Sequence, residues 1–239
     1  MGSKGGVQDR DAFKAMLEQG AAALGIDLAP EAALALATYS AELKRWSGKV
    51  NLIAKNSTDQ QIVESHFLDS LTLLPLLPTG ARLLDIGTGA GFPGLVCKAA
   101  RPDLFVTLVE PRLKRVSFLR HIVRTLGLID VEILAGRIED GQLLSPTVEF
   151  THITSRAVSD IAGFLAMAGR FMRPELRLVC MKGPKWQEEL GAADALIGTL
   201  PVVLADVVEQ TLPYSGALRA LLVFVVNGEA VLAKSADFC

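Results

Sequence analysis

Gly87, Gly89, Gly91 and Gly94 fall within eight residues, directly behind the run Leu83-Leu84-Asp85-Ile86. Glycine tolerates positive φ and lets a ligand come close to main-chain N–H groups. A second apolar run, Phe105-Val106-Thr107-Leu108-Val109, ends in Glu110. An acid about 20 residues beyond a glycine loop stands where a ribose hydroxyl pair is held. The residue types and spacing point to a site for a nucleotide-type cofactor. The alternative is an ordinary tight turn between a strand and a helix, with Glu110 facing water.

One position chooses the nucleotide. The dinucleotide fingerprint G-x-G-x-x-G, counted from Gly87, needs a glycine where Phe92 stands. The only tyrosines are Tyr39 and Tyr214, so the Tyr-x-x-x-Lys pair of many reductases is missing as well. What the chain carries is Asp-x-Gly-x-Gly-x-Gly from Asp85 to Gly91. It resembles the first motif of S-adenosylmethionine (SAM) dependent methyltransferases.

The elements that must hold these residues follow from periodicity. Residues Asp11 to Leu24 have helical spacing, and Gly25 stops them. Pro30 suits the first turn of a second helix that runs to about Trp46, with Leu34, Leu36, Tyr39, Leu43 and Trp46 supplying much of its buried face. Ser57 or Thr58 caps a third helix through His66 and Leu71, with Gln60 or Gln61 closing a capping box. Residues 1–70 are therefore expected to be a helical region, and 71–239 the cofactor-binding domain. From Arg82 onward strands alternate with helices. Strands are expected at Arg82 to Ile86, Phe105 to Glu110, Val131 to Ala135, Phe150 to Thr154 and Leu176 to Met181. Helices are expected at Arg112 to Leu126, Ile161 to Phe171 and Trp186 to Leu196. Val202 to Leu212 and Arg219 to Val226 form a closing hairpin. The expectation is an α/β fold with a mostly parallel sheet covered on both faces. Ligands in such sheets bind beyond the carboxyl ends of the strands. Asp85 to Gly91, Glu110, Ile138-Glu139 and Ser155-Arg156 all lie at those ends.

Composition narrows the class. The 239 residues are 50% hydrophobic, enough for one large domain or a domain with an appendage. The formal net charge of −2 provides no global field for nucleic acid, so an RNA partner would need a local patch. Cys97, Cys180 and Cys239 are odd in number and far apart, which suits a reducing compartment. With 3 histidines and no His/Cys cluster, no metal site is expected. Met1 to Asp9 has no apolar core, and no run approaches the roughly 20 apolar residues that span a bilayer. A cytoplasmic monomer without membrane contact is the expectation.

Asn51-Leu52, His66-Phe67-Leu68-Asp69-Ser70, Leu84 to Gly94, Gly136-Arg137-Ile138-Glu139 and Thr154-Ser155-Arg156-Ala157 occur in this order. Together, between about Trp46 and Lys182, they resemble the bacterial 16S ribosomal RNA guanine-N7 methyltransferase family, also called glucose-inhibited division protein B. The resemblance implies a Rossmann-like class I SAM-dependent methyltransferase fold. Its sheet would have seven strands and a C-terminal antiparallel hairpin. It implies methylation of N7 of a guanosine in the 530 loop of small-subunit rRNA, on free 16S rRNA or the 30S subunit. It places Gly87 and Phe92 at cofactor-binding positions, Ile138 and Glu139 beside the adenine, and Arg156 in the binding site. Gly89, Gly91, Asp85 and Glu110 complete the cofactor set. Two stretches depart from the family pattern: Ile138, where alanine is common, and Val158-Ser159-Asp160 after Ala157. Another RNA or a small molecule as acceptor, an NAD(P)-dependent oxidoreductase, and a non-catalytic RNA-binding module are the alternative readings.

Guanine N7 has a lone pair and no proton to lose. Methyl transfer to it is an in-line displacement that needs alignment and no general base. Arg156 is then a positioning group, on guanine O6, on a phosphate or on the cofactor carboxylate. The structural alternative is an ion pair, with Asp160 the candidate four residues on. On the helix after Glu110, Phe118, Leu119, Ile122, Val123 and Leu126 share one arc, while Lys114, Arg120, His121 and Arg124 share another. Between Glu110 and Arg124 five basic residues oppose one acid. Arg112, Lys114 and Arg115 are the phosphate candidates, with Lys44, Arg45, Lys49 and Lys55 extending the patch. His66 and Asp69, three apart, share a helix face and are expected to anchor the helical region to the sheet, the alternative being a wall of the substrate pocket. Phe92 is expected to pack under the cofactor, and Trp46 and Trp186 to be packing residues.

Overall fold

The computed structural model describes residues 4–227; residues 1–3 and 228–239, Cys239 among them, lie outside that range. Three helical stretches come first: α1 (Lys4–Ala23), α2 (Pro30–Ser47), and α3 (Asp59–Ile62), which runs through a π-helical turn (Val63–Leu68) into α4 (Asp69–Leu71). Thr58 caps α3, and its side chain and backbone make the reciprocal box with Gln61. The strands are β1 (Arg82–Ile86), β2 (Phe105–Glu110), β3 (Val131–Ala135), β4 (His152–Arg156), β5 (Arg177–Lys182), β6 (Val202–Thr211) and β7 (Leu218–Val226). Between them lie α5 (Gly94–Ala100), α6 (Leu113–Leu126), α7 (Ile161–Ala168) and α8 (Trp186–Ile197).

The seven strands run in the order β3-β2-β1-β4-β5-β7-β6. β1 to β5 pair in parallel, and β7 is antiparallel to both β5 and β6. The order reverses between β1 and β4, so the ligand crevice is expected beyond their carboxyl ends. β4 begins two residues later than its apolar pattern suggests. Phe150 is spent in the core beside Phe171, and pairing with β1 starts at His152 opposite Leu83. Arg156 thereby becomes the last residue of the strand rather than part of the following loop.

Successive strand residues point to opposite faces. Leu83, Val106 and Leu108 enter one core with Phe13, Leu36, Tyr39, Phe67 and Phe118. Leu84, Ile86, Val109 and Ile153 enter the other with Phe164, Leu178 and Phe224. The N-terminal helices therefore share a core with α5, α6 and one face of the sheet. Leu34, expected on the buried face of α2, is instead 57% exposed, because at 100° per residue it falls opposite Leu36, Tyr39 and Leu43. Glu64 adds a polar tie, accepting the N–H groups of Tyr214 at 2.6 Å and Ser215 at 2.8 Å. Among the described residues no helix is long and apolar enough to cross a membrane. Cys97 and Cys180 are buried free thiols, and burial pushes Cys180 up to about 12.

Candidate active site at the sheet switch point

The turn from β1 to α5 needs left-handed backbone at Gly87 (φ 71°), Gly89 (φ 63°) and Gly91 (φ 94°). At Gly87 and Gly91 sterics also oppose a side chain. A Cβ on Gly87 would overlap Val158, and one on Gly91 would overlap the Tyr39 hydroxyl. Tyr39, from α2, donates that hydroxyl to the Ala90 carbonyl. The glycine loop is thus propped from below by the N-terminal helices.

Two carboxylates close the loop. Asp85 is fully buried, and its Oδ2 accepts the Thr88 hydroxyl at 2.6 Å and the Gly94 N–H at 2.8 Å. Its Oδ1 has no hydrogen-bond partner. Burial, the largest influence, lifts its pKa to about 6 against the hydrogen bonds that lower it. Glu110 Oε2 accepts the Gly89 N–H at 3.0 Å, and its Oε1 accepts the Arg112 N–H at 2.8 Å. Each carboxylate oxygen has two lone pairs. Oε1 therefore keeps acceptor capacity for a hydroxyl. The N–H groups of Gly87 and Thr88 both go to the Val109 carbonyl.

Phe92 is buried rather than open at the loop surface. It lies between Tyr39 and His66 in a near-parallel set of rings, with interplanar angles of 14° and 13°. The Arg156 guanidinium stands 5.2 Å from its ring centroid. Ile138 is also closed into the core, whereas Glu139 beside it is exposed. Asp85, Phe92, Glu110 and Ile138 are therefore buried behind the loop, Gly87 and Gly89 are partly exposed, and Glu139 is exposed.

Arg156 pairs with Asp69, and the alternative partner Asp160 is occupied elsewhere. Arg156 Nη1 donates to the Ser65 carbonyl at 2.6 Å and to Asp69 Oδ2 at 2.8 Å. Asp160 caps α7, accepting the Gly163 N–H at 2.7 Å. The π turn makes the contact possible. Asp69 N–H reaches back to the Glu64 carbonyl, and the Ser65 carbonyl is turned to Arg156. Such turns recur at functional sites. His66 Nδ1 stands 3.4 Å from Arg156 Nη2, and burial with that nearby charge lowers its pKa to about 4. Asp69 ties the helical region to β4 and β7 through Arg156 and Arg219, and it also lines the cleft beside them.

The basic patch is divided. Arg112 and Lys114 are exposed. Arg115 turns toward the loop, 3.8 Å from Glu110 Oε2 and 3.2 Å from the Asn51 carbonyl. His121 leaves the basic arc and binds Glu42, and Lys44 pairs with Asp59 at 2.6 Å. Trp46 packs on Phe118 and His121, and Trp186 donates to Glu209 at 2.9 Å. Arg219 has no place in the glycine-loop motif, yet its Nε meets Asp69 Oδ1 at 2.9 Å. Its one sequence signal is a lone cation in the otherwise apolar run of β7.

A glycine loop at the switch point, an acid ending β2 and a reversed hairpin at the sheet edge define a class I SAM-dependent methyltransferase fold. The same fold occurs in the tRNA methyltransferase TrmK of B. subtilis (16% identity, TM-score 0.54, covering 68% of this chain and 67% of that one). It occurs also in M. jannaschii TYW2 in complex with AdoMet (12% identity, TM-score 0.53, covering 66% and 74%). Residues 33–213 match the GidB family, rRNA small subunit methyltransferase G. A ribosomal RNA small subunit methyltransferase G of Desulfotalea psychrophila is 60% identical over 207 residues, 87% of this chain and 95% of that one. The chain belongs to the rRNA small subunit methyltransferase G family.

Proposed function

We propose that this protein uses SAM to methylate N7 of a guanosine in the 530 loop of 16S rRNA. The observation that supports the cofactor is the placement of Asp85. Its carboxylate accepts the Gly94 N–H at the start of α5, where a dinucleotide's pyrophosphate would sit in a Rossmann enzyme. The Gly87, Thr88 and Gly89 N–H groups are likewise spent on Val109 and Glu110. A phosphate would find few free donors there and two carboxylates. SAM has no phosphate and carries a cation, so the residues present fit it. This argues against an NAD(P) site.

In this reading the backbone at Gly87, Gly89 and Gly91 receives the cofactor closely. Glu110 takes the ribose, and Ile138-Glu139 border the adenine. Bound there, SAM supplies an electrophilic methyl group on a sulfonium. The protein's own part is alignment and exclusion of water. Arg156 cannot sit on N7, whose lone pair must stay free. Held by Asp69 and Ser65, it is a positioning group at the rim. Arg112 and Lys114 are the exposed phosphate contacts, and a cytoplasmic monomer completes the reading.

The test is label transfer from SAM to small subunits lacking the modification, beside deproteinised 16S rRNA, followed by strand scission specific for N7-methylguanosine. Scission in the 530 loop is the expected result. Label on another atom or another RNA overturns the acceptor, and no transfer overturns the enzyme.

A further inference from the structure

We infer that Val158 is the apolar wall between the cofactor loop and the acceptor cleft, and that it positions the reactive end of the cofactor. The inference rests on the proposed SAM site and adds a specificity-determining residue to it. A cleft of about 610 Å³ opens beyond β4 and β5, lined by Arg156, Val158, Met181, Lys182 and Arg219 among others. The glycine loop lies on its other side. Val158 belongs to both: it lines the cleft, and its Cγ2 occupies the space that a Cβ on Gly87 would fill. Val158 therefore stands between Gly87 and the cleft.

Valine here is 44% exposed, so its methyl groups are accessible from the cleft. The chain also holds it there against strain. Ala157, directly before it, adopts φ 56°, a left-handed conformation that side chains disfavour. The turn is fixed on both flanks. Arg156 is tied to Asp69 and Ser65. Lys182 Nζ donates to the Ser159 carbonyl at 2.7 Å and pairs with Glu189 at 2.7 Å, and Asp160 caps α7. A braced, strained turn that presents one apolar side chain at the junction of two subsites suits a group that sets alignment. An apolar wall also offers no hydrogen-bond donor to compete for the acceptor's lone pair.

The experiment uses charge as a ruler. S-adenosylmethionine is a sulfonium cation at the reactive end, and S-adenosylhomocysteine is a neutral thioether there. Calorimetric titration of both is carried out on wild type, Val158→Asp and Val158→Asn. An added carboxylate beside a sulfonium favours the cation. Val158→Asp is expected to shift the ratio of the two affinities toward S-adenosylmethionine by about threefold or more, and Val158→Asn by less than about twofold. Equal ratios in the two variants overturn the placement. In steady state, Val158→Ala is expected to lower kcat about tenfold with KM for the small subunit little changed. A raised KM at unchanged kcat overturns the alignment role. Unfolding temperatures of all variants separate these effects from misfolding. A wild-type protein that binds neither compound refutes the cofactor reading itself, while wild-type binding with unmoved ratios refutes Val158 alone.

Discussion

Arg156 Nη1 donates to Asp69 Oδ2 at 2.8 Å, tying the last residue of β4 to the π-turned helix that precedes the sheet. The other Asp69 oxygen takes Arg219 from β7. One buried carboxylate therefore joins three segments that are far apart in sequence. Removing one partner of a buried ion pair costs about 3–5 kcal/mol. Here the arginine side chains keep 17% and 24% of their exposure, which lowers the cost. Asp69→Asn is expected to lose about 2 kcal/mol, or roughly 5 °C in unfolding temperature by calorimetry. An unchanged unfolding temperature contradicts the role.

Arg156→Ala removes the guanidinium from the Ser65 carbonyl, Asp69 and the face of Phe92 together. Methyl transfer should fall by about tenfold or more, as alignment losses do. Arg156→Lys keeps the charge and loses the fork, so it should recover only part of the rate. Full activity in the alanine variant would sink the positioning role.

Tyr39 and Gly91 make a matched pair under the loop. Gly91→Ala puts a methyl group on the Tyr39 hydroxyl at φ 94° and 2.9 Å from the Leu95 Cβ. A loss of about 2–3 kcal/mol in urea unfolding is expected, with weaker SAM binding. Tyr39→Phe keeps the ring stack and leaves the Ala90 carbonyl without its donor, at about 1–2 kcal/mol. If Tyr39→Phe binds SAM more weakly although the hydroxyl is buried beneath the loop, the helices set the loop's shape.

Stability should depend on pH through groups that burial has moved. His152 is 2% exposed, and burial, then Arg177, lowers its pKa to about 4. The unfolded chain takes up that proton first, so stability is lost as pH falls from about 6.5 to about 4. At about 1.4 kcal/mol per unit the loss is roughly 3 kcal/mol. His66 acts in the same sense. Asp85 opposes them: with its pKa raised to about 6, the folded chain binds the proton first, and this group gains stability as pH falls from about 6 to about 4. Thermal unfolding across that window should flatten in His152→Gln and steepen in Asp85→Asn. Parallel curves for all three proteins would contradict the assignment.

Arg112 and Lys114 are exposed near the cofactor end of α6. If they bind phosphates, neutralising both should reduce the slope of log affinity for rRNA against log salt by about 1–2. An unchanged slope moves the RNA surface elsewhere.

Much of this was legible in the chain. Alternation of apolar runs and helical stripes determined the βα order, because each element must bury one face. Phe92 in place of a third glycine, with Glu110 ending the next strand, determined the cofactor class. Tertiary structure decided what the charges do. Arg156 was readable as a cation at a strand end, but its partner, Asp69, lies 87 residues away, and no local spacing carries that distance. Arg219 and Tyr39 join the site only because β7 and α2 pack against the sheet. His121 looked basic on its helix and became a partner of Glu42 once α2 lay beside it. Periodicity is a property of one element, whereas the pairing of buried charges belongs to the space between elements. That space exists only after the core has closed.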